Sequence, residues 1–150
     1  MSRVARSARV ASRQRVETIT ASKTIGAAET GETYIIDYDT GAAITITLPP
    51  MQDGAYFKFI FKTEMDTSSA SVKITSSEDT NGDFVGAILE HVTGGTNQNS
   101  GMEQAGSHHQ VTFSTEIQPG TWVEFVCDGS KWYVTGVANV EAIGKVVFGT

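Results

Sequence analysis

The sequence predicts an all-β fold in a single domain with an extended basic N-terminal arm, and three observations predict it. From Val16 onward, short segments rich in β-branched and aromatic residues recur between turn signals, with almost no helical period. Fifteen glycines against three prolines is the composition of many turns and few rigid linkers. All five arginines, Arg3, Arg6, Arg9, Arg13 and Arg15, precede the first acid, Glu17. At 150 residues the chain fits one domain of ordinary size, able to bury roughly 70% of the surface its unfolded form exposes.

Ten strands are expected in order: Val16–Thr20, Thr33–Tyr38, Ala43–Leu48, Ala55–Lys62, Ser71–Thr75, Phe84–Leu89, Gln110–Thr115, Thr121–Cys127, Lys131–Gly136 and Gly144–Phe148. Ile44 to Leu48 and Phe57 to Lys62 alternate apolar and polar, so each has one buried and one polar face. Thr121–Cys127 is apolar on both parities, with Val123, Phe125 and Cys127 the stronger side, and is expected to be covered on both faces. Turn chemistry separates the strands: Asp39-Thr40-Gly41, Gln52-Asp53-Gly54, Asn81-Gly82-Asp83 and Asp128-Gly129-Ser130 tolerate the left-handed backbone of tight turns. Asp128-Gly129 lies between two strong strands and is the clearest hairpin signal. Glu90 to Gln110, with Gly94, Gly95, Gly101 and Gly106 among Asn, Gln and Ser, reads as a long loop or projection of the kind that contacts partners.

Composition excludes several classes. No stretch approaches the roughly 20 apolar residues of a membrane helix, and the N-terminus lacks the apolar middle of a secretory signal, so a soluble chain is expected. A single cysteine, Cys127, cannot close an intrachain disulfide. The net charge of −6 divides unequally: residues 1–15 carry five arginines and no acid, while the remainder sets six lysines against 17 acids, leaving −11. Residues 1–15 hold too little apolar surface to offset the entropy of ordering alone. In a helix, the spacing of Arg3, Arg6, Arg9 and Arg13 would align four guanidinium groups on one face.

Four readings of the arm compete. A nucleic-acid tail is disfavoured by the absence of stacking aromatics and by the acidic body, which phosphates repel. A mitochondrial transit peptide fits the composition. A docking arm on an acidic protein surface is favoured over a merely solvated tail, because arginine grips carboxylates through two parallel hydrogen bonds.

Catalytic and metal-binding sets are poorly supported. His91, His108 and His109 lie in or beside the Gly-rich segment with no familiar catalytic spacing, and Cys127 sits inside an expected strand as a small core residue. His108 and His109, with His91 or Glu103, are a conceivable transition-metal set. Adjacent strand residues point to opposite faces, however, so the pair does not readily share one ion except where copies meet. Asp79, Asn81, Asp83 and Glu90 echo a calcium loop, but Phe84 stands where that loop needs Gly, so a hairpin turn is preferred. No phosphate-binding Gly fingerprint opens a helix. Neither a metal nor a cofactor is expected, and an enzyme is the least favoured class.

Three pieces in order carry a resemblance. Ile44-Thr45-Ile46-Thr47-Leu48-Pro49-Pro50 leads to Gly54 and Tyr56-Phe57-Lys58-Phe59; Val72-Lys73-Ile74-Thr75 leads to Gly82-Asp83-Phe84-Val85-Gly86; and Asp128 to Gly136 contains Lys131-Trp132-Tyr133. Together they resemble small β-domains of tailed-bacteriophage virions, both head decoration (cement) proteins and tail-fibre or spike modules. The arm, the strand-like tail from Gly144 to Phe148 and the short chain favour the decoration protein. The reading is a β-sandwich or jelly-roll-like domain without enzymatic activity, located in the virion on the outer capsid surface. It would clamp neighbouring copies of the major capsid protein through the arginine arm, as a homotrimer by resemblance, with no membrane partner. The alternative is a receptor- or carbohydrate-binding module of a tail fibre or spike, using the Gly-rich segment and an exposed Trp or Tyr.

Overall fold

The computed structural model describes residues 14–78, 80–93 and 100–150, the side chains of residue 100 and residues 102–105 excepted. The strands are β1 Val16–Ile19, β2 Lys23–Thr24, β3 Thr33–Ile36, β4 Ala43–Thr47, β5 Asp53–Phe61, β6 Ser71–Thr75, β7 Phe84–Val92, β8 Ser100–His108, β9 Gln110–Phe113, β10 Trp122–Asp128, β11 Trp132–Val140 and β12 Val146–Gly149. They form two mixed sheets packed together as a β-sandwich. The larger sheet has the order β1-β3-β5-β10-β11-β7-β8, and the smaller β12-β9-β6-β4-β2.

The first half of the chain winds. β1, β3 and β5 lie side by side in parallel in the larger sheet, while β2, β4 and β6 do the same in the smaller one. Each strand therefore crosses to the opposite sheet, and the chain completes three stacked coils. Period-2 patterning makes this work, because every second residue turns inward and stacks on its equivalent in the next coil. Ile19, Ile36 and Phe61 form one such buried column. Tyr34 and Phe59 form another, their rings stacked at 5.3 Å and 19°.

Antiparallel strands then close the stack. β10 pairs with β5 in the larger sheet, and β9 with β6 in the smaller. The β10–β11 hairpin sits between β5 and β7, with β11 running parallel to β7 over nine residues. Aromatic contacts join the two sheets: Phe61 of β5 meets Phe113 of β9 at 4.9 Å, and Phe84 of β7 meets Phe148 of β12 at 6.5 Å. Burying each such ring contributes about 1.5–3 kcal/mol relative to leaving it in water.

All ten expected segments contain strands, and the Asp128-Gly129 hairpin forms as expected. Its turn is held by the Asp128 carboxylate, which accepts from the N–H groups of Ser130 and Lys131, both at 2.8 Å, and from the Ser130 and Tyr133 hydroxyls. These bonds, the Ser130 N–H foremost, hold its carboxyl down to about 2.

Three expectations are corrected. Glu90 to Gln110 is not a long loop: β7 runs to Val92, and Ser100–His108 forms β8, antiparallel to β7. Edge-strand pairing needs only backbone groups, so a segment of Gly, Ser and Gln joins a ladder without an apolar pattern. The Asn81-Gly82-Asp83 turn is real, with Gly82 at φ 89° and Asp83 N–H bonded to Thr80 C=O at 3.1 Å. It carries the chain from the smaller sheet to the larger, so it is a crossover and not a hairpin. Finally, β10 is central but covered on one face only, since Val126 remains 43% exposed.

Gly86 marks the tightest backbone approach. Its φ is +134°, and a Cβ there would lie 2.0 Å from the Val134 carbonyl oxygen in β11. Gly86→Ala is expected to lower stability by about 2–3 kcal/mol, read from urea unfolding, because the β7–β11 ladder must open to admit the methyl. A second expectation concerns acid. The folded carboxyl of Asp128 titrates below the ordinary value, so its stabilising effect is complete above about pH 4 and is lost as pH falls toward about 2. Melting temperature across that window should fall less steeply in Asp128→Ala than in the parent.

Candidate interaction surfaces

The residues singled out for chemistry separate in space. Cys127, Trp132, Phe84 and His108 share one level of the larger sheet. Two strands therefore lie between the cysteine and His108, about 14 Å of sheet. His91 sits seven residues from Phe84 along β7, about 23 Å away. His109 is buried with Nδ1 3.3 Å from Asn81 Oδ1, whereas His108 ends β8, half-buried, opposite Phe84 of β7. Glu103 pairs through its backbone with Ile88. Burial pushes the Cys127 thiol up, and its sulfur accepts the Gly129 N–H at 3.3 Å, which makes it a core residue.

The calcium-like set disperses as well. Asp79 lies outside the described residues. Asp83 is buried and accepts the Thr80 N–H at 3.1 Å. Glu90, also buried, spends both oxygens on the chain: Gly144 N–H at 2.6 Å on Oε2, Lys145 N–H at 2.7 Å and Val146 N–H at 2.6 Å on Oε1. This carboxylate fastens the C-terminal strand to β7, a long-range role that no local motif announces.

Of the arm, Arg3, Arg6, Arg9 and Arg13 lie outside the described residues. Arg15 is exposed, with its guanidinium 3.5 Å from Glu32 and its carbonyl accepting Thr33 N–H at 2.9 Å. It thus joins the β1–β3 ladder. Beside it, Glu17, Glu29 and Glu32 converge, with oxygens within 4.8 Å of one another. The Lys23 ammonium lies among them, 2.8 Å from both Glu17 and Glu29. Burial opposes ionisation of Glu29, but hydrogen bonds from Lys23, Gly26 and Tyr34 hold its carboxyl below the usual range. The cluster is an ion-pair network at the first coil. Its members lie between residues 17 and 32 and meet because the first coil brings β1 beside β3.

The outward face of the larger sheet is the surface that sequence reasoning missed. One cross-strand row runs Tyr56, Val126, Tyr133 and Val85 over β5, β10, β11 and β7. A second runs Ile35, Ile60, Trp122, Val137 and Leu89 from β3 to β7. Tyr133 is 47% exposed, Val85 41% and Leu89 39%. Between the rows lies Thr33, Lys58, Glu124, Thr135 and Ala87, where Lys58 and Glu124 pair at 3.0 Å. The Lys58 ammonium also sits 5.0 Å from the Trp122 ring centre. Those two are the only charges in the three rows among the described residues. The outer face of a two-layer sandwich is ordinarily polar, so two apolar rows flanking this polar one make the face a candidate interaction surface. The available signal was the apolar character of β10 on both parities.

Comparison of the chain with protein-family models, with curated proteins and with solved structures finds no match.

Glu90→Gln is expected to lower stability by about 2 kcal/mol, since an amide cannot accept all three N–H groups. Calorimetry should also give the parent one melting temperature in calcium and in chelator; stabilisation by calcium that Glu90→Gln abolishes would mean that Glu90 has a ligand beyond the backbone.

Proposed function

We propose that this chain is a non-enzymatic virion structural protein of a tailed bacteriophage, decorating the outer capsid and stabilising it by clamping neighbouring major capsid protein subunits. The observation that carries this reading is the division of labour within the chain. A closed β body spends its buried Glu90 and Asp83 on its own backbone, while five arginines precede β1 at the edge of the larger sheet. The pieces that resemble virion β-domains belong to the frame: Ile44–Thr47 in β4, Tyr56–Phe59 in β5, Val72–Thr75 in β6 and Trp132–Gly136 in β11. A decorating protein of this kind works mechanically. Each copy adds buried interface across a seam, and several linked contacts gain avidity that one lacks. Arg15 is already engaged by Glu32, so the grip on an acidic capsid surface falls to Arg3, Arg6, Arg9 and Arg13.

A second reading, a receptor- or carbohydrate-binding module of a tail fibre or spike, is favoured by one observation. Tyr56, Trp122 and Tyr133 lie on one open sheet face, an arrangement on which sugar rings can stack.

Co-sedimentation with particles of the virus that carries this chain separates the two. The full chain should bind heads, a chain beginning at Val16 should fold and bind at least about 30-fold more weakly, and Arg→Lys at positions 3, 6, 9 and 13 should bind with intermediate affinity. Undiminished binding by the shortened chain would remove the arm from the mechanism. Immunogold label confined to tails would favour the second reading.

A further inference from the structure

We propose that Asn81-Gly82, in the turn that carries the chain from β6 to β7, is a self-modifying site. The Gly82 nitrogen closes on the Asn81 side-chain amide, ammonia leaves, and water opens the ring to aspartyl and isoaspartyl products. The proposal rests on this turn and not on the virion reading.

The chain holds three pairs in which an acid or its amide precedes glycine: Asp53-Gly54, Asn81-Gly82 and Asp128-Gly129. Glycine matters because no side chain hinders its nitrogen as it turns onto the preceding residue. Chemistry then separates the pairs. Carboxylates are ionised at neutral pH and resist a nucleophile, whereas an amide stays neutral. Asp128 is withdrawn further, since it holds the Ser130 and Lys131 N–H groups, and the Gly129 N–H is bonded to Cys127 Sγ at 3.3 Å. Asn81 is exposed at the corner of a turn whose flanks are fixed. Thr80 C=O accepts Asp83 N–H at 3.1 Å, and Asp83 C=O accepts Trp132 N–H at 2.8 Å.

Two neighbours assist. His109 Nδ1 lies 3.3 Å from Asn81 Oδ1, and when it carries the hydrogen it donates to the amide oxygen and polarises Cγ. The Lys131 ammonium lies 2.6 Å from the Gly82 carbonyl oxygen, a positive charge that favours the Gly82 nitrogen in its deprotonated form. The Gly82 N–H proton goes to solvent hydroxide and the N–Cγ bond forms. The Cγ–Nδ2 bond breaks as Nδ2 takes a proton from water and departs as ammonia. Water then cleaves one of the two C–N bonds of the ring to the Gly82 nitrogen. Cleavage at Cγ leaves aspartate in the ordinary backbone; cleavage at the main-chain carbonyl carbon of residue 81 routes the backbone through the side chain. The aspartyl product sets a new carboxylate opposite His109, whose N–H donates to Gly149 C=O and whose C=O accepts Ser76 N–H. The new charge therefore arises where the ends of β6, β9 and β12 meet.

The full chain, held in mildly alkaline buffer, is followed by peptide mapping and by enzymatic methylation of isoaspartate. Asn81 should convert at least about tenfold faster than Asn139 of β11, whose successor Val140 is β-branched and buried. The Asp128-Gly129 peptide should stay unisomerised. His109→Phe, which keeps the bulk of the ring and offers no hydrogen, should convert about fivefold more slowly once circular dichroism confirms its fold. An Asn81 that persists in the parent while a free peptide of residues 80–85 converts would show that the fold protects the turn, and would overturn the proposal. Conversion of His109→Phe at the parent's rate would strike out the assisted step, and change at Asp128 as fast as at Asn81 would strike out the selection among the three pairs.

Discussion

Parallel, in-register stacking of successive coils is the constraint on which the rest of the molecule depends. Once β3 lies on β1 and β5 on β3, with β4 and β6 likewise stacked across the sandwich, every inward side chain has its equivalent as a neighbour. Matching residues then produce columns, and the columns produce the core. Stacking also consumes the backbone hydrogen bonds of each strand, so that the sheets need closing only at their ends. β10 and β9 do this at the end of the winding, leaving β1 and β2 as edges where the chain begins. The ion-pair network of Glu17 on β1, Lys23 on β2 and Glu29 in the turn after them is a charged edge of the kind that discourages uncontrolled pairing.

The candidate surfaces follow from the same constraint. A chain that alternates between sheets builds a broad larger sheet from strands remote in sequence, and its outer face is assembled from β3, β5, β10, β11 and β7. Apolar residues on that face come from five separate segments. None forms a patch on its own strand, yet together they make one. The arm, by contrast, is contiguous in sequence, and its charge stands out against an acidic body whatever the fold.

This explains what the sequence revealed and what it concealed. Alternation in Ile44 to Leu48 and Phe57 to Lys62 announces strands and their buried faces, and the Asp-Gly turn announces the β10–β11 hairpin, because those signals are local. Pairing is not local: the same alternation serves a parallel coil and an antiparallel meander, so the winding was invisible. β2, at two residues, is too short to carry a pattern, and β8 pairs through backbone while its Gly, Ser and Gln read as loop. Glu90 looked like a possible metal ligand because its distance from Asp79 fitted a motif, whereas its partners are N–H groups more than 50 residues away.

The winding can be measured without reference to function. In nuclear Overhauser spectra of the labelled full chain, parallel in-register pairing places the backbones of Ile35 and Ile60, and of Thr45 and Lys73, side by side. The account predicts the evenly spaced amide-to-α-proton contacts of parallel ladders at both pairs. Close α-proton to α-proton contacts between those strands, or β3 paired directly with β4, would indicate an antiparallel meander and contradict it.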